Sequence, residues 1–155
     1  MLRIFLSVSY AIEDCIKYDT TSHSASSGTS TYVSELYELA TSTDYDISLD
    51  ATLTNGYNSH LTFSDVNVDG GVGRGVFIQN NQFRSAIDGT TVFTSFSSPF
   101  SIRWVRESTT LKIYLNGTLV ETITDNYVQT LKYLKFVSWQ NSKTLTWSNL
   151  KIKPL

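Results

Sequence analysis

Three groups of residues in this 155-residue chain have types and spacings that could do chemistry. The first is Asp65-Val-Asn-Val-Asp69-Gly70, with oxygen donors at alternate positions and a glycine where a cation-wrapping loop turns sharply. Asp65, Asn67 and Asp69 are therefore candidate calcium ligands. The twelfth position of such a loop is Val76 rather than a bidentate glutamate, and a plain Asp/Gly turn uses the same residues. The second group is Asp44, Asp46 and Asp50. Glycosidic cleavage needs two flanking carboxyl groups, one of them protonated; here no Glu accompanies the aspartates, and alternation puts Asp46 and Asp50 on a solvated strand face. The third group places aromatics beside amides, the combination that stacks on and hydrogen-bonds to a polyhydroxylated ring. Tyr57 and Asn58 sit in Asn55-Gly-Tyr-Asn58, Gln79 and Asn80 at a turn, and Trp139 and Gln140 in Ser138-Trp-Gln-Asn141. Arg74, carried outward by the glycine-rich run 70–75, completes this candidate ligand-binding set. That run lacks the lysine and the following helix of a phosphate loop.

Catalytic residues are not expected. His23, His60 and the lone Cys15 have no neighbours in sequence that form a metal, redox or triad motif, and no Gly-x-Ser-x-Gly elbow occurs. Asn116-Gly-Thr118 is formally a glycosylation sequon but reads first as a turn.

The elements that must position these groups are strands. Ser and Thr supply 41 residues, aromatics 13% and charged residues only 17%, with 2 Pro and 8 Gly. That composition reads as all-β, and it excludes a coiled coil, a disulfide framework, a disordered tail and a multi-pass membrane protein. The length suits one domain over residues 1–155. Strand signals recur about every ten residues, giving ten to twelve short strands. Leu2–Tyr10 reads as a first strand rather than a secretion signal. The tract 20–31 holds only small or polar residues and is expected to be a flexible surface loop. Tyr32–Leu39 fits a short helix or an irregular edge strand. From Tyr45 to Leu53 the alternation is strict. Asn116-Gly117 between Leu111–Leu115 and Leu119–Ile123 is a type I′ hairpin signature. Trp104, Trp139 and Trp147 fall on strands, where core packing is the ordinary role; Trp139 stands at a strand end.

The net charge of −2 gives no field that would draw the chain to nucleic acid, and no segment has transmembrane length, so no membrane insertion is expected. The charge is divided. Residues 1–100 sum to −7 and residues 101–155 to +5, a split expected to place complementary strands side by side.

Phe100-Ser-Ile-Arg-Trp-Val-Arg106, then Leu111-Lys-Ile-Tyr-Leu-Asn-Gly117 and Leu119-Val-Glu-Thr-Ile123, resembles the core of concanavalin A-like and laminin-G-like domains. The closing Thr146-Trp-Ser-Asn-Leu-Lys-Ile152 is similar to their final strand, and the resemblance spans residues 44–153. The length and Ser/Thr-rich character are also similar to accessory modules of phage tail proteins. The resemblance implies an antiparallel two-sheet jelly-roll sandwich. It further implies a noncatalytic carbohydrate-binding or adhesion module on a virion or cell surface, recognising a cell-surface glycan or polysaccharide. No cofactor is implied beyond the calcium candidate. The alternative is a structural virion or surface component that contacts other proteins or forms a homo-oligomer, and a glycoside hydrolase ranks third.

Overall fold

The computed structural model describes residues 9–12, 17–19, 23–27, 33–53, 59–66, 74–79, 82–87, 91–138 and 143–155. Fourteen strands and one 3-10 helix occur among them. The first seven strands are β1 (Ser9–Ile12), β2 (Lys17–Asp19), β3 (His23–Ser27), β4 (Val33–Leu39), β5 (Tyr45–Leu53), β6 (Ser59–Ser64) and β7 (Gly75–Gln79). The rest are β8 (Gln82–Ser85), β9 (Thr91–Ser95), β10 (Phe100–Glu107), β11 (Thr110–Leu115), β12 (Thr118–Thr124), β13 (Tyr133–Ser138) and β14 (Lys143–Pro154), with the helix at Asn126–Thr130. The all-β class and the two-sheet sandwich are as expected. One sheet runs β1-β4-β13-β6-β7-β8-β9, and the other runs β12-β11-β10-β5-β14-β2, with β3 also on β14.

Period-two alternation builds both sheets. In β5 the odd positions Tyr45, Ile47, Leu49, Ala51 and Leu53 are buried, while the even positions are half-buried or exposed. β10 and β11 repeat the pattern and contribute Ile102, Trp104, Leu111 and Ile113. The sheets meet through two parallel-ring stacks. Phe63 of β6 lies on Trp104 of β10 at 5.8 Å, and Phe136 of β13 on Trp147 of β14 at 4.2 Å. The core role expected of Trp104 and Trp147 is thus observed, each ring being worth more than the ~2 kcal/mol of an ordinary buried side chain.

Three departures from expectation have physical reasons. Residues 33–39 form strand β4, not a helix, and lie between β1 and β13; Tyr37 and Leu39, two apart, enter the core together. Within the polar tract 20–31, His23–Ser27 forms β3 against β14, because ladder hydrogen bonds come from the backbone and ask nothing of the side chains. β1 pairs with β4 in parallel, so the sandwich is not purely antiparallel.

The divided charge is complementary in space. Arg103 pairs with Asp46 at 2.8 Å and Lys132 with Glu38 at 3.1 Å, each joining the basic C-terminal part to the acidic N-terminal part. At one end of the sandwich the guanidinium of Arg106, 1% exposed, donates to the carbonyls of Leu131, Ala40 and Thr43 and lies 5.2 Å from the Tyr45 ring centroid. Burial pulls its pKa below the usual arginine value.

Candidate functional site

Of the candidate ligand-binding and calcium residues, Asp65 and Arg74 have described side chains. They close the neck between β6 and β7. The Asp65 N–H donates to the Arg74 carbonyl at 3.0 Å, and the Arg74 N–H donates to Asp65 Oδ1 at 2.9 Å. The Tyr127 hydroxyl donates to Asp65 Oδ2 at 2.7 Å, which pushes the tyrosine pKa above the ordinary phenol value. The exposed Arg74 guanidinium sits 4.3 Å over the Tyr127 ring. Tyr127 is itself fixed by the 3-10 helix, whose N-cap, Asp125, accepts its N–H at 2.7 Å. Both Asp65 oxygens thus serve a turn clamp. Asn67 and Asp69 lie outside the described residues. Among the described residues no group of three or more His, Cys, Asp or Glu is placed to hold a metal. A hollow of about 540 Å³ adjoins the clamp, lined by Thr41, Ser42, Asp65, Gln129, Thr130 and Lys132.

Gln79 belongs to the other end of the same sheet. Ser59 is opposite Ser138, and His60 opposite Gln79, so the ends of β6, β7 and β13 stand side by side. Gln79 pairs with Gln82 across the β7–β8 hairpin. Tyr57, Asn58, Asn80, Trp139 and Gln140 lie outside the described residues. Arg74, one residue before β7 begins, is a full strand length from Gln79, so the two do not share a site.

A second surface has a constructed shape. On the outward face of the other sheet a groove of about 460 Å³ runs over Ser48, Asp50, Ser101, Arg103, Tyr114, Asn149 and Lys151, a volume typical of small-ligand sites. The register explains it. Tyr114, Arg103, Ser48 and Lys151 are successive partners across β11, β10, β5 and β14. A short serine between long neighbours leaves a trough. One repeat along the strands, Ser101 pairs with Asp50, extending the low floor.

The groove's polar groups are oriented by one another. Arg103 meets Asp46 through Nε and one terminal nitrogen, both at 2.8 Å, and its guanidinium lies 5.2 Å from the Tyr114 ring centroid. The pair is half exposed on the arginine side, so it stabilises the fold by only ~0–1 kcal/mol; its effect is to aim the guanidinium. Asp50 accepts from Ser101 Oγ at 2.6 Å and Asn149 Nδ2 at 2.7 Å, and these bonds hold its pKa below the ordinary aspartate value. Asn149 arrives there through an irregularity. The β14–β5 register shifts between Ser148 and Lys151, and Asn149 takes φ of 54°, a left-handed conformation that asparagine tolerates. The rim beside Ser101 is set by the β11–β12 hairpin, where Asn116 and Gly117 have φ of 49° and 80°. Asn116 Oδ1 accepts the Ser101 N–H at 2.8 Å. The expected I′-type turn is therefore present, and its asparagine side chain braces the groove floor.

Asp46 and Asp50 were read from sequence as a solvated face; the structure adds that Asp50 anchors a hydrogen-bonded cluster. Ser48, Ser101, Arg103, Tyr114, Asn149 and Lys151 were missed. The available signal was the outward half of each alternating strand, which carries Arg103 and Tyr114 at positions that packing does not demand.

No family model matches this chain, and no curated protein matches it. Solved structures resemble it in fold. A putative glycosyl hydrolase from Parabacteroides distasonis superposes with a TM-score of 0.58 at 13% identity, covering 89% of this chain and 90% of that one. A sialidase gives 0.57 at 11% identity over 79% of this chain, which spans only 14% of the sialidase. The carbohydrate-binding module CBM66 from Bacillus subtilis gives 0.50 at 14% identity, covering 93% and 98% of the two chains. The shared property is the architecture, a two-sheet β-sandwich of the kind seen in a carbohydrate-binding module.

Proposed function

We propose that this chain is a noncatalytic glycan-binding module whose site is the groove over Ser48 and Asp50. The observation that carries the reading is the groove's composition in one register. A half-exposed tyrosine, an oriented guanidinium, an ionised carboxylate, an amide and two serines converge on a trough of ligand size. Sugars use these groups together, the aromatic for the CH face and the others for hydroxyls. Against hydrolysis, a general acid needs a raised pKa, whereas Asp50 is pulled down and Asp46 is engaged by Arg103. The named fold neighbours include both a binding module and hydrolases, so the groove's chemistry supports the reading more than the neighbours do. The reading places the chain on a virion or cell-exposed surface, where polysaccharide is met.

The test is a panel of polysaccharides and oligosaccharides followed by backbone amide shifts. Expected are shifts at Ser48, Ser101, Arg103 and Asn149, with loss of binding in Tyr114→Ala and in Asp50→Asn. Shifts confined to the Asp65–Tyr127 end, or silence across neutral and acidic sugars alike, would overturn it. A protein-contact role is favoured by one feature, Leu119, 49% exposed on edge strand β12. A homo-oligomer seen by light scattering and abolished by Leu119→Lys would support that role.

A further inference from the structure

Resting on that reading, we infer that the groove selects a carboxylate-bearing sugar, with the acid group seated over Ser48 between Lys151 and Arg103. Arg103, Ser48 and Lys151 are directly opposed on three neighbouring strands, so the two cationic residues stand about 10 Å apart at the backbone. The serine between them is too short to fill the gap. Asp46 occupies two of the guanidinium's nitrogens, leaving one edge of Arg103 for a ligand. Lys151 and Lys153 are exposed, follow each other on the same face of β14, and have no carboxylate within ion-pair distance among the described residues. This part of the groove is therefore net positive on a chain whose total charge is −2.

The other part has the opposite character. Asp50 lies two residues from Ser48 on the same face, about 7 Å away, and is kept ionised by Ser101 and Asn149. A cation-lined end and an acceptor end separated by that distance match one acidic pyranose. Its carboxylate meets Lys151 and the free edge of Arg103, its hydroxyls donate to Asp50, and its CH face lies toward Tyr114. A neutral sugar would leave the lysine with water only, so the polarity of the groove carries information about the ligand. Carboxylated pyranoses occur as uronates and as sialates, and the chemistry that recognises them here is shared.

Titrations of the full chain with oligogalacturonate against its methyl ester, and with sialyllactose against lactose, separate these sources. The acid member of at least one pair should bind about tenfold tighter than its neutral partner, the worth of one charge-assisted hydrogen bond. Lys151→Gln should erase that preference, and Lys151→Arg should restore it. Lys112→Gln, the same charge change outside the groove and held by Glu107, should keep the preference. Equal binding of acid and neutral forms overturns the inference, as does an equal loss in the Lys112 and Lys151 variants. Neutral sugars alone shifting the groove overturns it while leaving the glycan-binding reading in place. No saccharide shifting the groove overturns both.

Discussion

The clamp at Asp65 and the groove at Asp50 use the same three residue types, one tyrosine, one arginine and an aspartate, to opposite ends. At the clamp, Arg74 covers the Tyr127 ring, and the tyrosine hydroxyl and a backbone N–H take both oxygens of Asp65. In the groove, Arg103 lies by Tyr114 and the aspartate donors are short side chains on neighbouring strands. The Tyr114 hydroxyl has no protein partner among the described residues. The clamp spends its polar groups on the chain itself, and the groove holds them in place facing solvent. What separates a site from a turn here is thus where the hydrogen bonds end rather than which residues are present.

This contrast is testable by perturbing each region. The largest effect is expected at the clamp end of the sandwich, where Arg106→Met would leave the buried Leu131 carbonyl and the half-buried Ala40 and Thr43 carbonyls without their donor. Removal should cost about 3 kcal/mol, read as a lower urea midpoint, with saccharide binding by the folded fraction unchanged. Next is Gly75→Ala at the start of β7. A Cβ there would stand 2.1 Å from the Phe63 carbonyl oxygen, so β6 and β7 must separate, at a cost on the order of 2–3 kcal/mol in thermal or urea unfolding. A matched pair then sharpens the contrast directly. Tyr127→Phe should lower the urea midpoint measurably and leave ligand titrations alone; Tyr114→Ala should shift stability by less than ~0.5 kcal/mol and abolish binding. If Tyr114→Ala instead destabilises and spares binding, the assignment of the two regions is reversed.

The smallest effect concerns pH. Asp50 titrates below the ordinary aspartate value in the folded chain, so its bonds to Ser101 and Asn149 favour folding above that ordinary value and are lost as pH falls through the lowered one. Ligand binding that uses the ionised form should therefore persist into mildly acidic solution. Replacing both donors, Ser101→Ala with Asn149→Ala, removes what lowers the pKa, and the acid limb of the binding curve should move to higher pH.

Much of the frame that holds the groove was legible in the sequence, for reasons seen in individual residues. The alternation from Tyr45 to Leu53 dictates which face of β5 is wet, and Asn116-Gly117 dictates a hairpin whatever surrounds it. Trp104 and Trp147 bury because their strands leave them no other side. The groove was less legible. It depends on which outward residues become neighbours across four strands, and β5, the β10–β11 pair and β14 are far apart in the chain. The bulge that turns Asn149 toward Asp50 has no local signature, since any asparagine in a strand could lie flat. Strand β3 was hidden because ladder pairing uses backbone groups that every residue carries, so a polar tract gives no signal for it.

Strand β14 has a consequence for how the chain is made. β5 lies between β10 and β14, and β2 and β3 pair only with β14 among the described strands. Until residues 143–154 have left the ribosome, β2 and β3 have nothing to zip onto and β5 is an open edge. A nascent chain ending before Lys143 would expose that ladder to other chains, the situation that promotes edge-to-edge aggregation. Assembly of this sheet must therefore wait for the stretch that also delivers Asn149 and Lys151 to the groove, so the order of synthesis couples a finished fold to a finished site.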